Sequence, residues 1–194
     1  MRIKQLSLIG GGVVLAAIVA VAIVWGGATS PPHEDQARGQ GSYALPTTSG
    51  DMFTQASLTG GPTAVFFGFT HCPDVCPTTM GDLDLWKSEL PEARDLKIYF
   101  ITVDPERDSL DQLRDYVSWI PDVVGVSGTR AETDDVITAF DVLAKRIDLD
   151  GGEYTMAHTA AVMLFDGEGR FVDQIPYQAP LDAVRTRLAK LEAR

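Results

Sequence analysis

Between Val65 and Met80 an apolar run leads straight into the chain's only two cysteines, Cys72 and Cys76, with three residues between them. Val65-Phe66-Phe67-Gly68-Phe69 is short and rich in β-branched and aromatic residues, the composition of a central strand. The polar, proline-punctuated stretch that follows predicts a loop entering a helix at Pro77, because proline is tolerated in the first turn of a helix. Two thiols on such a turn lie where the N–H groups of a helix start favour thiolate over thiol. Thiolate is the nucleophile of disulfide exchange and a ligand for soft metals. The stretch therefore specifies a redox dithiol, a metal site, or both.

Two cysteines cannot form a multi-bridge framework, so the fold must rest on a hydrophobic core, and 194 residues at 45% apolar content are enough for one domain plus an appendage. The net charge of −11 argues against nucleic acid and anionic membrane surfaces as partners, since both require basic patches.

The appendage is amino-terminal. Residues 1–5 carry Arg2 and Lys4, and about twenty uncharged residues then run from Leu6 to Trp25, the length of a bilayer-crossing helix. No Lys or Arg follows until Arg38, so the positive-inside rule predicts a cytoplasmic amino terminus and an exported remainder. Gly26-Gly27-Ala28 resembles a signal-peptide cleavage site, but the apolar run is longer than a typical signal core, which favours a retained anchor over 6–25. Residues 26–42 are Gly-, Ser- and Pro-rich with little to bury and read as a flexible tether, in which His33 is a solvated residue.

From Tyr43 to Arg194 the pattern is globular. Strands are expected at 63–69, 96–103, 123–126, 160–165 and 170–175, with a weaker hairpin around Ser49-Gly50-Asp51. Helices are expected at 77–90, 109–119, 131–145 and 180–192, the second with a cap at Asp108/Ser109. Strands alternating with helices, followed by a hairpin and a last helix, predict an α/β domain with a mixed central sheet.

Few residues can join the two thiols, because the chain has three histidines. His158 directly precedes the apolar strand Ala160–Phe165, and if that strand neighbours 63–69 the loops at one sheet edge bring His158 to Cys72 and Cys76. Spacing alone favours a structural or solvated histidine over a ligand. His71 abuts Cys72 and reads as a residue supporting the loop. Asp74 lies within the Cys-x-x-x-Cys loop, while Met80 and Met156 read as core residues.

At this point the segment Phe67-Gly68-Phe69-Thr70-His71-Cys72-Pro73-Asp74-Val75-Cys76-Pro77 resembles the signature of the Sco/SenC family of copper-binding assembly factors for cytochrome c oxidase. The likeness extends to Thr102-Val103-Asp104-Pro105-Glu106-Arg107-Asp108, to Gly125-Val126-Ser127-Gly128 and to Tyr154 and His158 ahead of a strand, spanning residues 43–194 in order. The resemblance implies a thioredoxin-like fold and copper held by Cys72, Cys76 and His158. It implies delivery to the CuA centre of oxidase subunit II, with a copper donor protein and a thiol reductant as further partners. Together with the anchor it implies a domain held at the inner membrane and facing the periplasm.

The chemistry agrees with that donor set. Thiolates select Cu(I), imidazole suits Cu(II), and three ligands leave a position open for exchange. A structural zinc site wants four ligands, and there is no third cysteine. One departure stands out: many relatives place an acidic residue before the histidine, where this chain has Ala157. Asp104 reads as a residue that supports the ligands or meets a partner, with turn formation by Asp104-Pro105 as the competing role. A thiol–disulfide oxidoreductase that keeps the CuA-site cysteines or other exported thiols reduced is the alternative function, since the same cysteine pair could exchange through a mixed disulfide. A peroxiredoxin-like reading of Val75-Cys76-Pro77-Thr78 fails at Pro73, where those enzymes carry threonine.

Overall fold

The computed structural model describes residues 37–192, so the expected anchor and most of the expected tether lie outside the described residues. Among the described residues no helix is long and apolar enough to cross a membrane.

A five-stranded mixed sheet carries the domain, in the order β5 (Val123–Val126), β4 (Lys97–Thr102), β3 (Thr63–Gly68), β8 (Ala161–Phe165), β9 (Phe171–Pro176). β3, β4 and β5 run parallel, whereas β8 and β9 are antiparallel to their neighbours. The helices are α1 (Val75–Glu89), α2 (Leu110–Val117), α3 (Arg130–Ala139) and α4 (Leu181–Glu192). Strands β1 (Ala44–Pro46) and β2 (Met52–Thr54) form the small expected hairpin, with Gly50 at φ +93° in its turn. This is the thioredoxin-like α/β arrangement.

All six residues of β3 are buried, as expected of a strand covered on both faces. Alternate side chains divide the core into two layers. Phe66 meets Phe100 on one face (ring centroids 5.8 Å apart), and Phe67 meets Phe140 on the other (5.3 Å). The second face continues through Phe53, Phe165 and Tyr43 as a contiguous aromatic cluster. Offset and edge-on pairs of this kind each add about 0.5–1.5 kcal/mol beyond the area they bury.

The structure corrects three local expectations. The helix expected over 131–145 ends at Ala139, because Phe140 turns into the aromatic cluster and Asp141 takes φ +52°. Asp tolerates this left-handed backbone better than most residues, so the stop carries no glycine or proline to mark it. The freed chain becomes β6 (Ala144–Asp148), which pairs with β7 (Tyr154–His158) in a two-stranded sheet separate from the main one. Finally, ordered packing begins before Tyr43. Gly39 is buried and its N–H donates to the Ala139 carbonyl at 2.8 Å, so residues 38–42 of the expected tether belong to the domain.

Candidate metal centre

β3 ends at Gly68 and the chain passes through Thr70 and His71 to Cys72 before α1 begins at Val75, two residues earlier than Pro77 predicts. Asp74 occupies the cap position, is exposed and makes no side-chain cap bond. The Cys76 N–H points instead at Cys72 Sγ, 3.4 Å away. Sulfur thus takes one of the unpaired donors at the helix start, and the same geometry brings the two cysteines together.

β8 lies beside β3, and β7 runs into it, so the end of β7 arrives over the cysteine loop. His158 Nε2 lies 3.5 Å from Cys76 Sγ. The donor atoms of Cys72, Cys76 and His158 all lie within 4.8 Å of one another, and this is the one such group found among the described residues. Both cysteines are free; Cys72 is partly exposed and Cys76 buried.

The His158 tautomer follows from its neighbours. Nδ1 lies 3.1 Å from the Thr159 carbonyl, which can only accept, so Nδ1 carries the hydrogen. Nε2 then presents its lone pair to the sulfurs. Phe66 and Phe69 meet the ring edge-on at 6.2 and 5.8 Å and fix its plane. Here the Thr159 carbonyl orients the imidazole, and Ala157 lies on the opposite face of β7.

Burial dominates the electrostatics. It pulls the His158 imidazole below its ordinary value against the opposing bond to Thr159, which keeps the ring neutral near pH 7. The Cys76 thiol is pushed well up, by burial first and by nearby Cys72 and Asp108 after it, against one backbone hydrogen bond to Phe69. For Cys76 the expected drift toward thiolate is therefore reversed. The helix start offers a partial charge, and desolvation of a full one outweighs it. A bound cation would restore thiolate at this position.

The remaining sequence candidates surround the three candidate ligands. His71 is exposed, with Nδ1 3.1 Å from Thr70 Oγ1 and 3.8 Å from Asp108. Asp104 is fully buried and lies in neither role alone: Oδ1 accepts from the Tyr154 hydroxyl at 2.8 Å and Oδ2 from Arg107 Nε. Sequence reasoning missed Thr70, Asp108, Arg107 and Tyr154 as supports. All four sit inside the quoted stretches, and Tyr154 is four residues before His158, on the same face of β7.

A family model described as SCO1/SenC matches residues 31–193. The chain belongs to the SCO1/SenC family. Protein SCO2, mitochondrial, of Saccharomyces cerevisiae is 32% identical to it over 157 residues, 76% of this chain and 52% of the relative. The human Protein SCO1 homolog, mitochondrial, is 36% identical over 138 residues, covering 69% of this chain and 46% of the relative. The SCO1/SenC chain described here thus spans about half the length of these curated relatives. Among solved structures, Bradyrhizobium japonicum ScoI with copper bound is similar at 38% identity and a TM-score of 0.68, covering 79% of this chain and 97% of that one.

Proposed function

We propose that this SCO1/SenC protein is a copper metallochaperone that holds copper through Cys72 Sγ, Cys76 Sγ and His158 Nε2 and passes it to the CuA centre of cytochrome c oxidase subunit II. The observation that carries the reading is the convergence of these three donor atoms within 4.8 Å, in a chain similar to a ScoI that holds copper. Two sulfurs suit Cu(I) and the imidazole suits Cu(II), so one site serves both oxidation states. Three donors leave room for a client ligand to bind before the old ones leave. Binding displaces a proton from each thiol, so uptake weakens as pH falls.

The same reading places the protein in the inner membrane. Leu6–Trp25 would be a single span with the amino terminus inside, and the domain would face the periplasm beside a membrane-bound client. A periplasmic copper donor would load it, and a thiol reductant would keep Cys72 and Cys76 reduced.

The test is a Cu(I) and Cu(II) titration of the reduced full-length chain, followed by incubation with metal-free subunit II. One copper per chain and transfer to the client are expected. Absence of stoichiometric binding ends the reading.

A second reading, thiol–disulfide exchange, is favoured by the partly exposed Cys72 next to a buried Cys76 at the end of β3, an accessible sulfur beside a protected partner. Exchange has no need of His158, whereas copper ligation does. His158→Ala that preserves oxidase assembly in cells, while Cys72→Ser and Cys76→Ser abolish it, would favour exchange.

A further inference from the structure

The hairpin β6–β7 carries His158 yet pairs only with itself, outside the main sheet. Among the described residues, its hydrogen bonds to the rest of the domain are made at Tyr154 and His158, the two ends of β7. The His158 end is the metal site. The Tyr154 end, about 13 Å away at strand rise, is held by groups from the loop between β4 and α2.

Several groups make that hold. The Tyr154 hydroxyl donates to Asp104 Oδ1 at 2.8 Å, and Arg107 Nη1 donates to the Tyr154 carbonyl at 3.0 Å. Arg107 Nε closes the triangle on Asp104 Oδ2. The Arg107 guanidinium lies 3.6 Å and that of Arg146 3.7 Å from the centre of the Tyr154 ring. Two guanidinium groups that close to one ring cannot share a face, so they sandwich it. Arg107 also reaches the ring of Phe69, which itself stands edge-on to His158.

We propose that Asp104, Tyr154 and Arg107 form a clamp whose role is to position His158 over Cys72 and Cys76; the proposal rests on the copper reading of that site. A strand pinned at Tyr154 keeps one face turned toward the domain, and residues two and four further on lie on that same face. With the clamp intact, Tyr154, Met156 and His158 share the inner face. Released, the hairpin keeps its own pairing but no longer holds the imidazole against the sulfurs. The three are positioning residues, remote from the ligand atoms.

Tyr154→Phe tests this with little risk to folding, because it keeps the ring between the arginines and deletes one hydrogen bond. Copper affinity would be measured by competition on the full-length chain for the parent, Tyr154→Phe, His158→Ala and the double variant. Tyr154→Phe is expected to weaken Cu(II) binding about tenfold, the scale of losing a group that orients a ligand. The Cu(I) loss is expected to be smaller, because sulfur carries that ion. The double variant is expected to match His158→Ala alone. No loss in Tyr154→Phe, or the same fold-loss with and without His158, would overturn the clamp. Amide hydrogen exchange on the metal-free chain gives a separate reading: residues 155–158 should exchange faster in Tyr154→Phe while β3 and β4 are unchanged. Equal exchange in both chains would also overturn it. If the parent itself binds no copper, the proposed function falls and the exchange measurement alone decides the clamp.

Discussion

Asp108 and Thr70 are joined twice. The Thr70 hydroxyl donates to Asp108 Oδ1 at 2.6 Å and the Thr70 N–H donates to Oδ2 at 3.0 Å. Thr102 adds a third donor at 2.6 Å, and Asp108 itself is fully buried. Thr70 is two residues before Cys72, so Asp108 anchors the start of the cysteine loop as Asp104 anchors the hairpin. One short segment between β4 and α2 thereby braces both halves of the candidate site.

Asp108→Ala leaves the buried Thr102 hydroxyl and the two partly buried Thr70 donors without this acceptor. A loss of about 3 kcal/mol in unfolding free energy is expected, read from urea denaturation of the metal-free protein. Copper affinity should fall with it, because the Cys72 loop loses its fixed origin. A change within 0.5 kcal/mol, roughly the size of a neutral surface substitution, would show that water replaces Asp108.

Gly68 is the last residue of β3 and faces the site. A Cβ there would lie 2.9 Å from Cys76 Sγ and 2.9 Å from the Phe100 ring. Gly68→Ala must therefore push the sulfur or the ring aside, at a cost of about 1–3 kcal/mol in a packed core. Thermal unfolding should register the loss. The Cu(II)–thiolate absorption of loaded protein should shift as Cys76 moves, and an unchanged spectrum would count against this packing.

The two thiols should differ in reactivity. Cys72 is partly exposed, whereas Cys76 is buried and its thiol pushed up by that burial. Brief iodoacetamide treatment of the reduced, metal-free protein at pH 7 should label Cys72 first, as read by peptide mass spectrometry. Equal labelling would mean that α1 opens readily at its first turn.

Glu106 and Arg130 form a two-pronged pair, Nε to Oε1 at 2.9 Å and Nη2 to Oε2. Hydrogen bonding from Arg130, against some burial, holds Glu106 at about 2 instead of its ordinary 4.5. A depressed carboxyl value means stability that is present above pH 4.5 and lost as pH falls toward 2. Both side chains are substantially exposed, so solvent screening keeps the contribution small. Glu106→Gln should lower the melting temperature at pH 6, with the gap to the parent closing on acidification. A gap independent of pH would mean that the pair acts through packing alone.

The sheet was legible where local composition and burial agree. The apolar runs at 63–69, 96–103, 123–126, 160–165 and 170–175 each became a strand of the main sheet, displaced by a residue or so. Ser109 caps α2 as its sequence announces, exchanging bonds with Gln112. The hairpin β6–β7 was not legible. Its first strand, Ala144-Lys145-Arg146-Ile147-Asp148, is polar and mostly exposed, and the preceding helix continues into it by pattern until Phe140 leaves for the core. No periodicity marks a stop that a distant aromatic cluster imposes.

By itself the sequence determined the donor types: two soft thiols bound to one turn by chain connectivity, and a short stock of histidines. Covalent proximity and side-chain chemistry need no fold to be read. Tertiary structure decided that the far imidazole meets the sulfurs, that its Nε2 faces them, and that desolvation keeps Cys76 a thiol. Those outcomes depend on the neighbouring strands β3 and β8, on a backbone carbonyl and on burial. Each is set by groups distant along the chain, so none is written in the local run of residues.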